Sequence, residues 1–220
     1  MKKRLCKTII TMIMVLGMFC SFSATTIAAP VKLSDVKDSD WYYKFVNKMV
    51  EKGSVGGYPD GTFKPNKNMS VCEFTKVLMS EMNIEFIPAK KGEHWATNSM
   101  EKAQELGIIK AQEFSKSDWD RPITRFEMAR MFSRAMSESY PSNMEEFKYQ
   151  ITDFETMTKS QQDIALKVYV LGIISGYPDG SFGLNNNATR AEACTMLARY
   201  NYKEYRNVPV LRDFDVTNID

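Results

Sequence analysis

The sequence predicts a mainly α-helical protein made of three repeated helix-loop-helix units that pack against one another. An internal repeat, apolar residues at helical spacing and a capping motif at the same place in every unit support this prediction. The predicted units are residues 30–90, 91–148 and 149–208. Since a helix pair of this size cannot bury both its apolar faces alone, the units are expected to form one interdependent domain.

The repeat is marked by a short turn sequence. Gly57-Tyr-Pro-Asp-Gly61 recurs 119 residues later as Gly176-Tyr-Pro-Asp-Gly180, and half of this offset predicts a middle copy. The middle unit has a different sequence, residues 111–120, in place of this turn. Its presence is indicated by a glycine that precedes a glutamate by 20 residues in all three units, at Gly53 and Glu73, Gly107 and Glu127, and Gly172 and Glu192.

Each unit reads as two helices joined by this turn. In the first unit, apolar residues three and four apart run from Trp41 to Val50 and end at Gly53, a predicted helix cap because glycine enters the left-handed region without strain. Trp41 and its equivalent Trp95 are expected to pack in the core. A short strand-like segment is expected before each turn. The second helices are predicted to start at Ser70, Thr124 and Thr189, each three residues before a glutamate in a capping box.

The first 29 residues have the features of an export signal. A basic start is followed by an apolar run from Ile9 to Phe22 and by small residues, with cleavage expected after Ala28 or Ala29. A retained membrane anchor is the alternative, but fewer than ~18 apolar residues are short for a span. The two cysteines that then remain, Cys72 and Cys194, are expected to be buried free thiols, with one disulfide as the alternative.

Composition argues against several classes of function. The 220 residues carry a formal charge of +2, and removal of the four basic residues of the signal leaves 25 basic against 27 acidic residues, so a nucleic-acid partner is not expected. The single histidine, His94, excludes His-rich metal sites, and the aspartates do not have EF-hand spacing. Neither a metal nor a cofactor is predicted. The absence of a nucleophile motif predicts no catalytic residues and no enzyme.

The repeated motifs resemble the S-layer homology (SLH) domain over essentially all of the mature chain. The resemblance implies a pseudo-threefold bundle of three repeats. It also implies non-covalent anchoring to the bacterial cell wall, with a secondary cell-wall polysaccharide carrying pyruvylated sugars bound in grooves between the repeats. The motifs that carry the resemblance are Leu33-Ser-Asp-Val36, His94-Trp-Ala96, residues 53–65, Ile123-Thr-Arg-Phe-Glu127, Gly172-Ile-Ile-Ser-Gly-Tyr-Pro-Asp-Gly-Ser-Phe182 and Ala188-Thr-Arg-Ala-Glu192.

The resemblance also suggests the binding residues. Arg125 and Arg190 occupy the motif arginine, and a guanidinium can pair bidentately with a pyruvate carboxylate; simple surface charge is the alternative. Val71 stands at this place in the first repeat, so that position is expected to be structural. The predicted polysaccharide site comprises Arg125, Arg190, Thr124, Thr189, Tyr58 and Tyr177, where each tyrosine either stacks on a sugar or anchors its own turn.

The sequence therefore predicts an exported, non-enzymatic wall-binding module with no nucleic-acid partner and no membrane association after signal cleavage. The alternative is an anchoring fragment of a larger exported enzyme or S-layer protein. The oligomeric state stays open. Residues 209–220 repeat a unit opening at Leu211-Arg-Asp-Phe-Asp215, which predicts either the start of a further repeat or a segment that docks Phe214 near Met196 and Leu197.

Overall fold

The computed structural model describes residues 33–211, and this part of the chain is helical without a β-strand. The predicted mainly α-helical class is confirmed. Four short 3-10 helices, at Lys116–Asp118, Met144–Gln150, Phe154–Thr156 and Lys203–Tyr205, supplement six α-helices. These α-helices are α1 (Tyr43–Lys52), α2 (Val71–Glu81), α3 (Thr97–Glu105), α4 (Arg125–Ala135), α5 (Lys159–Val170) and α6 (Arg190–Asn201).

The helix boundaries follow from local sequence. Gly53 ends α1 with φ 77° and donates its N–H to helix carbonyls, as predicted. The second helix of each pair starts with a reciprocal capping box, in which the N-cap hydroxyl accepts from the N3 amide and the N3 glutamate accepts from the N-cap amide. The predicted caps Ser70, Thr124 and Thr189 are confirmed.

The predicted strand-like segments before the turns are wrong. The amides of Ile108 and Ile109 both donate to the carbonyl of Ala103, at 2.9 and 3.1 Å, and Ile173 donates to Val168 at 3.0 Å. Because these amides donate to carbonyls of the preceding helix, they are not available for the hydrogen bonds between strands of a sheet. The apolar character of the segments instead reflects burial in the core.

A ring of backbone hydrogen bonds joins the three units around a pseudo-threefold axis. Met69 donates to the carbonyl of Ala188 at 3.0 Å, Ala188 to that of Ile123 at 3.1 Å, and Ile123 to that of Met69 at 2.9 Å. Each of these residues directly precedes a capping box. The second helices therefore start around one point, as the bundle implied by the resemblance requires.

Helix packing closes the same ring. The second helix of each unit contacts the first helix of the next, through the pairs α2 and α3, α4 and α5, and α6 and α1. A continuous core fills the centre, where Phe74 meets Phe132 edge to face at 5.4 Å and both rings are fully buried. No unit can bury its core without its neighbours, which makes the bundle one domain.

Two tryptophans are placed differently from the prediction. Trp41 is 60% exposed and Trp95 is 41% exposed, so core packing is wrong for both. The reason is that α1 begins at Tyr43 and α3 at Thr97, so each tryptophan lies in the turn before its helix. The cysteines match the expectation: Cys72 and Cys194 are buried and unbonded to each other, and burial raises their thiol pKa values to about 11 and about 12.

The chain after α6 returns to the bundle. Asn207 donates its amide to the carbonyl of Gly172 at 3.0 Å, and Arg206 forms a two-point ion pair with Glu138 at 2.9 and 2.6 Å. The export signal and the predicted docking of Phe214 lie outside the described residues. Every helix in residues 33–211 is too short or too polar to span a bilayer.

Candidate ligand-binding grooves between the units

Arg125 fastens the second unit to the third. It is the first residue of α4, and its own amide docks on the third unit by donating to the carbonyl of Asn186 at 2.9 Å. The side chain is buried, where Nε donates to the carbonyl of Phe182 at 2.9 Å and Nη2 to that of Ser175 at 2.7 Å. The guanidinium carbon lies 4.4 Å from the Tyr177 ring centroid. Burial lowers the pKa of Arg125, but an arginine stays protonated.

Arg190 repeats this geometry between the third and first units. Its Nε donates to the carbonyl of Phe63 at 2.9 Å and its Nη2 to that of Gly56 at 3.3 Å. The guanidinium carbon lies 4.9 Å from the ring centroid of Tyr58. Since both arginines are buried, the interpretation as simple surface charge is wrong. Each side chain therefore clamps the turn of the next unit.

Two lysines that sequence reasoning missed, Lys64 and Lys67, lie beside Tyr58. Lys67 Nζ donates to the Tyr58 hydroxyl at 3.0 Å, and this bond raises the pKa of Lys67. Lys64 Nζ lies 4.3 Å from the ring centroid. Glu73 balances the group, with Oε1 4.0 Å from Lys67 Nζ and 3.9 Å from Arg190 Nη1. The boundary between the third and first units thus has three cations around one half-buried aromatic ring.

The two predicted threonines act first as helix caps. The hydroxyl oxygens of Thr124 and Thr189 accept from the amides of Glu127 and Glu192, each at 3.3 Å. Both threonines are half-buried and each directly precedes a motif arginine. The structure therefore brings the six predicted residues together as two separate groups, with Thr189, Arg190 and Tyr58 at one boundary and Thr124, Arg125 and Tyr177 at the other.

The boundary between the first and second units lacks the arginine. Val71 is fully buried at the motif position and keeps the backbone contact, donating to the carbonyl of Arg121 at 3.1 Å. The Arg121 side chain is held by Glu127 in a two-point ion pair at 3.0 and 2.6 Å. A cavity of about 410 Å³ still lies here, lined by Lys67, Asn68, Ser70, Glu73, Trp95, Asp120 and Pro122.

Residues 32–70 and 154–194 match the family model of the S-layer homology domain. The chain carries SLH domains. The resemblance predicted from the motifs is therefore confirmed. The two matched segments lie in the first and third units, and the second unit, which lacks the Gly-Tyr-Pro-Asp-Gly turn, lies outside them. The boundaries of the three SLH repeats stay a prediction.

Two surface-layer proteins and an endoglucanase are among the proteins similar to this chain. The chain is 25% identical over 199 residues to S-layer protein EA1 of Bacillus anthracis, covering 87% of this chain and 22% of that protein. It is 29% identical over 143 residues to the Surface-layer 125 kDa protein of Lysinibacillus sphaericus, covering 60% and 12%. An Endoglucanase of Bacillus sp. (strain KSM-635) is 27% identical over 179 residues, covering 77% and 19%. The SLH chain thus spans less than a quarter of each of these relatives.

Proposed function

We propose that this protein is a cell-surface module that anchors non-covalently to the bacterial wall by binding an anionic secondary wall polysaccharide in the grooves between its units. The SLH family match and the surface-layer relatives support a location at the cell surface or in the wall. The repeated arrangement of arginine over tyrosine supports the grooves as the binding places.

The observation that carries the proposal is the group formed by Arg190, Tyr58 and Lys67. Lys67 is exposed, whereas Arg190 is buried beneath it, and among the described residues its ion pair is a long one, 3.9 Å from Nη1 to Glu73. A sugar ring can pack on the Tyr58 face while its carboxylate meets the two cations. A pyruvate ketal offers this combination of a sugar ring and a carboxylate, so it is the proposed modification.

The groove at Arg125 and Tyr177 is proposed as a second, weaker site. Its equivalent of Lys67 is Asn186, which carries no charge. An anionic sugar would therefore meet no lysine at the position of Lys67 in this groove. The first boundary, with Val71, is not proposed to bind the same group through the motif position.

Similarity to the endoglucanase is not an argument for catalysis by this chain, because the match covers only 19% of that protein. We therefore propose a non-enzymatic module. Anchoring in this way also fits the alternative that the chain is a fragment of a larger exported enzyme or S-layer protein. Immunoblotting of the native wall fraction measures the mass of the anchored protein and separates these two cases.

Binding to purified wall sacculi tests the proposed function. The mature chain should sediment with intact sacculi and stay in solution after the secondary polymer has been extracted. Lys102→Ala is a matched charge control, because Lys102 lies on α3 and its ion pair is with Glu105 on the same helix. Equal sedimentation with intact and extracted sacculi would show that the polymer is not the partner.

A further inference from the structure

Three potential metal ligands converge at the boundary between the first and second units. Cys72 Sγ lies 3.5 Å from Asp120 Oδ1, and His94 Nε2 lies 3.2 Å from Asp120 Oδ2. All three side chains have a ligand atom within 4.8 Å of the other two. Cys72 comes from the first turn of α2, His94 from the turn before α3, and Asp120 from the loop before α4. Only packing of the two units brings these segments together.

The surrounding contacts hold the cluster in place. The amide of Cys72 donates to the carbonyl of Trp119 at 2.9 Å, which docks the Asp120 loop on α2. The His94 ring packs edge to face on Trp119 at 5.2 Å. The amide of Ala96 donates to His94 Nδ1 at 3.2 Å, which turns Nε2 toward Asp120. These contacts bring the three side chains together, and the bond from Ala96 to His94 is the one that must change when an ion binds.

We propose that Cys72, His94 and Asp120 bind a divalent cation of the zinc class through a thiolate, an imidazole and a carboxylate. Tetrahedral zinc with ordinary bond lengths places neighbouring sulfur, nitrogen and oxygen ligands roughly 3.4 to 3.6 Å apart. With Asp120 Oδ1 as the ligand atom, its separations from Cys72 Sγ and His94 Nε2 are 3.5 Å and 3.3 Å, close to these values. The sulfur and the ring nitrogen lie within 4.8 Å of each other, so they must move somewhat closer when an ion binds. Calcium and magnesium prefer oxygen ligands, so a mixed set containing sulfur and nitrogen favours zinc.

Protons must move when the ion binds. The Cys72 thiol releases its proton to solvent as sulfur bonds to the ion. The His94 ring loses its Nε2 proton and gains one at Nδ1, so the imidazole remains neutral. This change ends the bond from the Ala96 amide to Nδ1, which at 3.2 Å is a long one. Asp120 exchanges its hydrogen bonds with Cys72 and His94 for a metal bond.

The same geometry argues against a cysteine nucleophile. In a Cys-His-Asp catalytic group, the acid holds one ring nitrogen while the other takes the thiol proton. Here Asp120 contacts Nε2, the nitrogen that faces the cluster, and the Ala96 amide occupies Nδ1. No ring nitrogen is left to act as the base for Cys72.

A metal ion at this site would have a structural role, because it would join two units as the arginines do at the other boundaries. Arg125 and Arg190 fasten two of the three boundaries, whereas the third has Val71 in place of the motif arginine. A metal ion on the neighbouring Cys72 would cross-link α2 to the second unit at this boundary. Three protein ligands leave a fourth position open, and Asp120 also lines the adjacent cavity of about 410 Å³.

Cobalt substitution tests the site directly. The mature chain, reduced and freed of metal with a chelator, is titrated with Co²⁺ and then with Zn²⁺. We expect one equivalent of Co²⁺ to produce the near-ultraviolet absorption of a cobalt-thiolate bond and the visible bands of a tetrahedral site, both removed by Zn²⁺. Zn²⁺ should also raise the melting temperature. Cys194→Ala is the matched control and should keep every signal, because Cys194 is buried away from this cluster.

Variants of the ligands define the outcome. Cys72→Ala should lose the thiolate absorption, and Asp120→Asn should weaken Zn²⁺ binding by at least about tenfold. Since Asp120 is exposed, its variant should fold even if Cys72→Ala does not. The proposal is overturned if the wild-type protein shows no thiolate absorption. It is also overturned if Asp120→Asn and His94→Gln bind Zn²⁺ as tightly as the wild type.

Discussion

Arg190 of the third unit donates through Nε to the carbonyl of Phe63 in the first unit, at 2.9 Å and in a buried setting. This bond spans 127 residues of sequence and closes the ring of three units. Arg125 makes the equivalent bond to Phe182 at 2.9 Å. The residue that the family resemblance assigns to a ligand is therefore also a structural clamp, so its two roles must be separated by experiment.

Replacing Arg190 should lower both stability and binding. Arg190→Ala leaves the buried Phe63 carbonyl without its donor, which should lower the free energy of unfolding by about 1 to 3 kcal/mol. Sacculus binding, measured well below the melting temperature, should also weaken. Arg190→Lys should recover only part of each loss, because a lysine cannot reproduce the two-point fork. If a folded Arg190→Ala protein bound sacculi as well as the wild type, Arg190 would not be part of the binding site.

Lys67 offers the cleaner test of the groove. Lys67→Ala removes an exposed charge that contacts Tyr58 without touching the core, so the melting temperature should stay nearly constant. Affinity for sacculi should fall roughly three- to fivefold, and its dependence on salt should become shallower. Lys102→Ala should change neither quantity. Equal affinities for the two variants would argue against an anionic ligand beside Tyr58.

The elements set by local sequence were predictable, and those set by packing between units were not. A capping box needs only residues such as Ser70 and Glu73, three positions apart, and Gly53 acts through its own backbone. The prediction for Trp41 is wrong because α1 begins at Tyr43, two residues after Trp41, so that Trp41 is not on the buried face of the helix.

The candidate site residues that sequence reasoning missed come together only in the folded chain. Lys67 contacts Tyr58 only because the chain folds back after the turn, and the repeat sequence contains no signal for this contact. The group of Cys72, His94 and Asp120 spans 48 residues and two units, and a single histidine discouraged any metal prediction. The family motif pointed to Arg125 and Arg190, but only their burial revealed the clamp.

Val71 tests whether the first motif position is structural. Val71→Ala removes two methyl groups from a fully buried site and should lower the free energy of unfolding by about 1 to 2 kcal/mol. Binding to sacculi should stay unchanged, because Val71 offers neither charge nor a hydrogen-bonding side chain. Chemical denaturation and sedimentation measure the two effects. Weaker binding at unchanged stability would assign the position to the ligand.

Glu138 should give the protein an acid-sensitive contact. Its hydrogen bonds with Arg206 hold the pKa at about 2, below the ordinary value of 4.5. The stabilisation is therefore complete above the unfolded pKa and is lost as the pH falls through about 2. Glu138→Gln should lower the free energy of unfolding by about 1 kcal/mol near pH 7, after allowance for solvent screening, and by little near pH 2. A difference that is the same at both pH values would show that the charge is not responsible.

Two glycines with the same backbone conformation should respond differently to alanine. Gly53 and Gly172 have φ values of 77° and 68°, so alanine is strained at both, by roughly 1 to 2 kcal/mol. A Cβ atom at Gly53 meets nothing within 4 Å, whereas one at Gly172 would lie 2.5 Å from the backbone of Asn207. Gly172→Ala should therefore also displace the segment after α6 and break the bond from the Asn207 amide to the Gly172 carbonyl.

Thermal unfolding and limited proteolysis measure this difference. Gly53→Ala should lower the melting temperature slightly and leave the wild-type cleavage pattern. Gly172→Ala should lower it further and expose residues 203–211 to protease, because the new methyl group and the Asn207 backbone cannot occupy the same space. If the two variants lose equal stability and neither gains a cleavage site, the close approach of Asn207 to Gly172 does not hold this segment on the bundle.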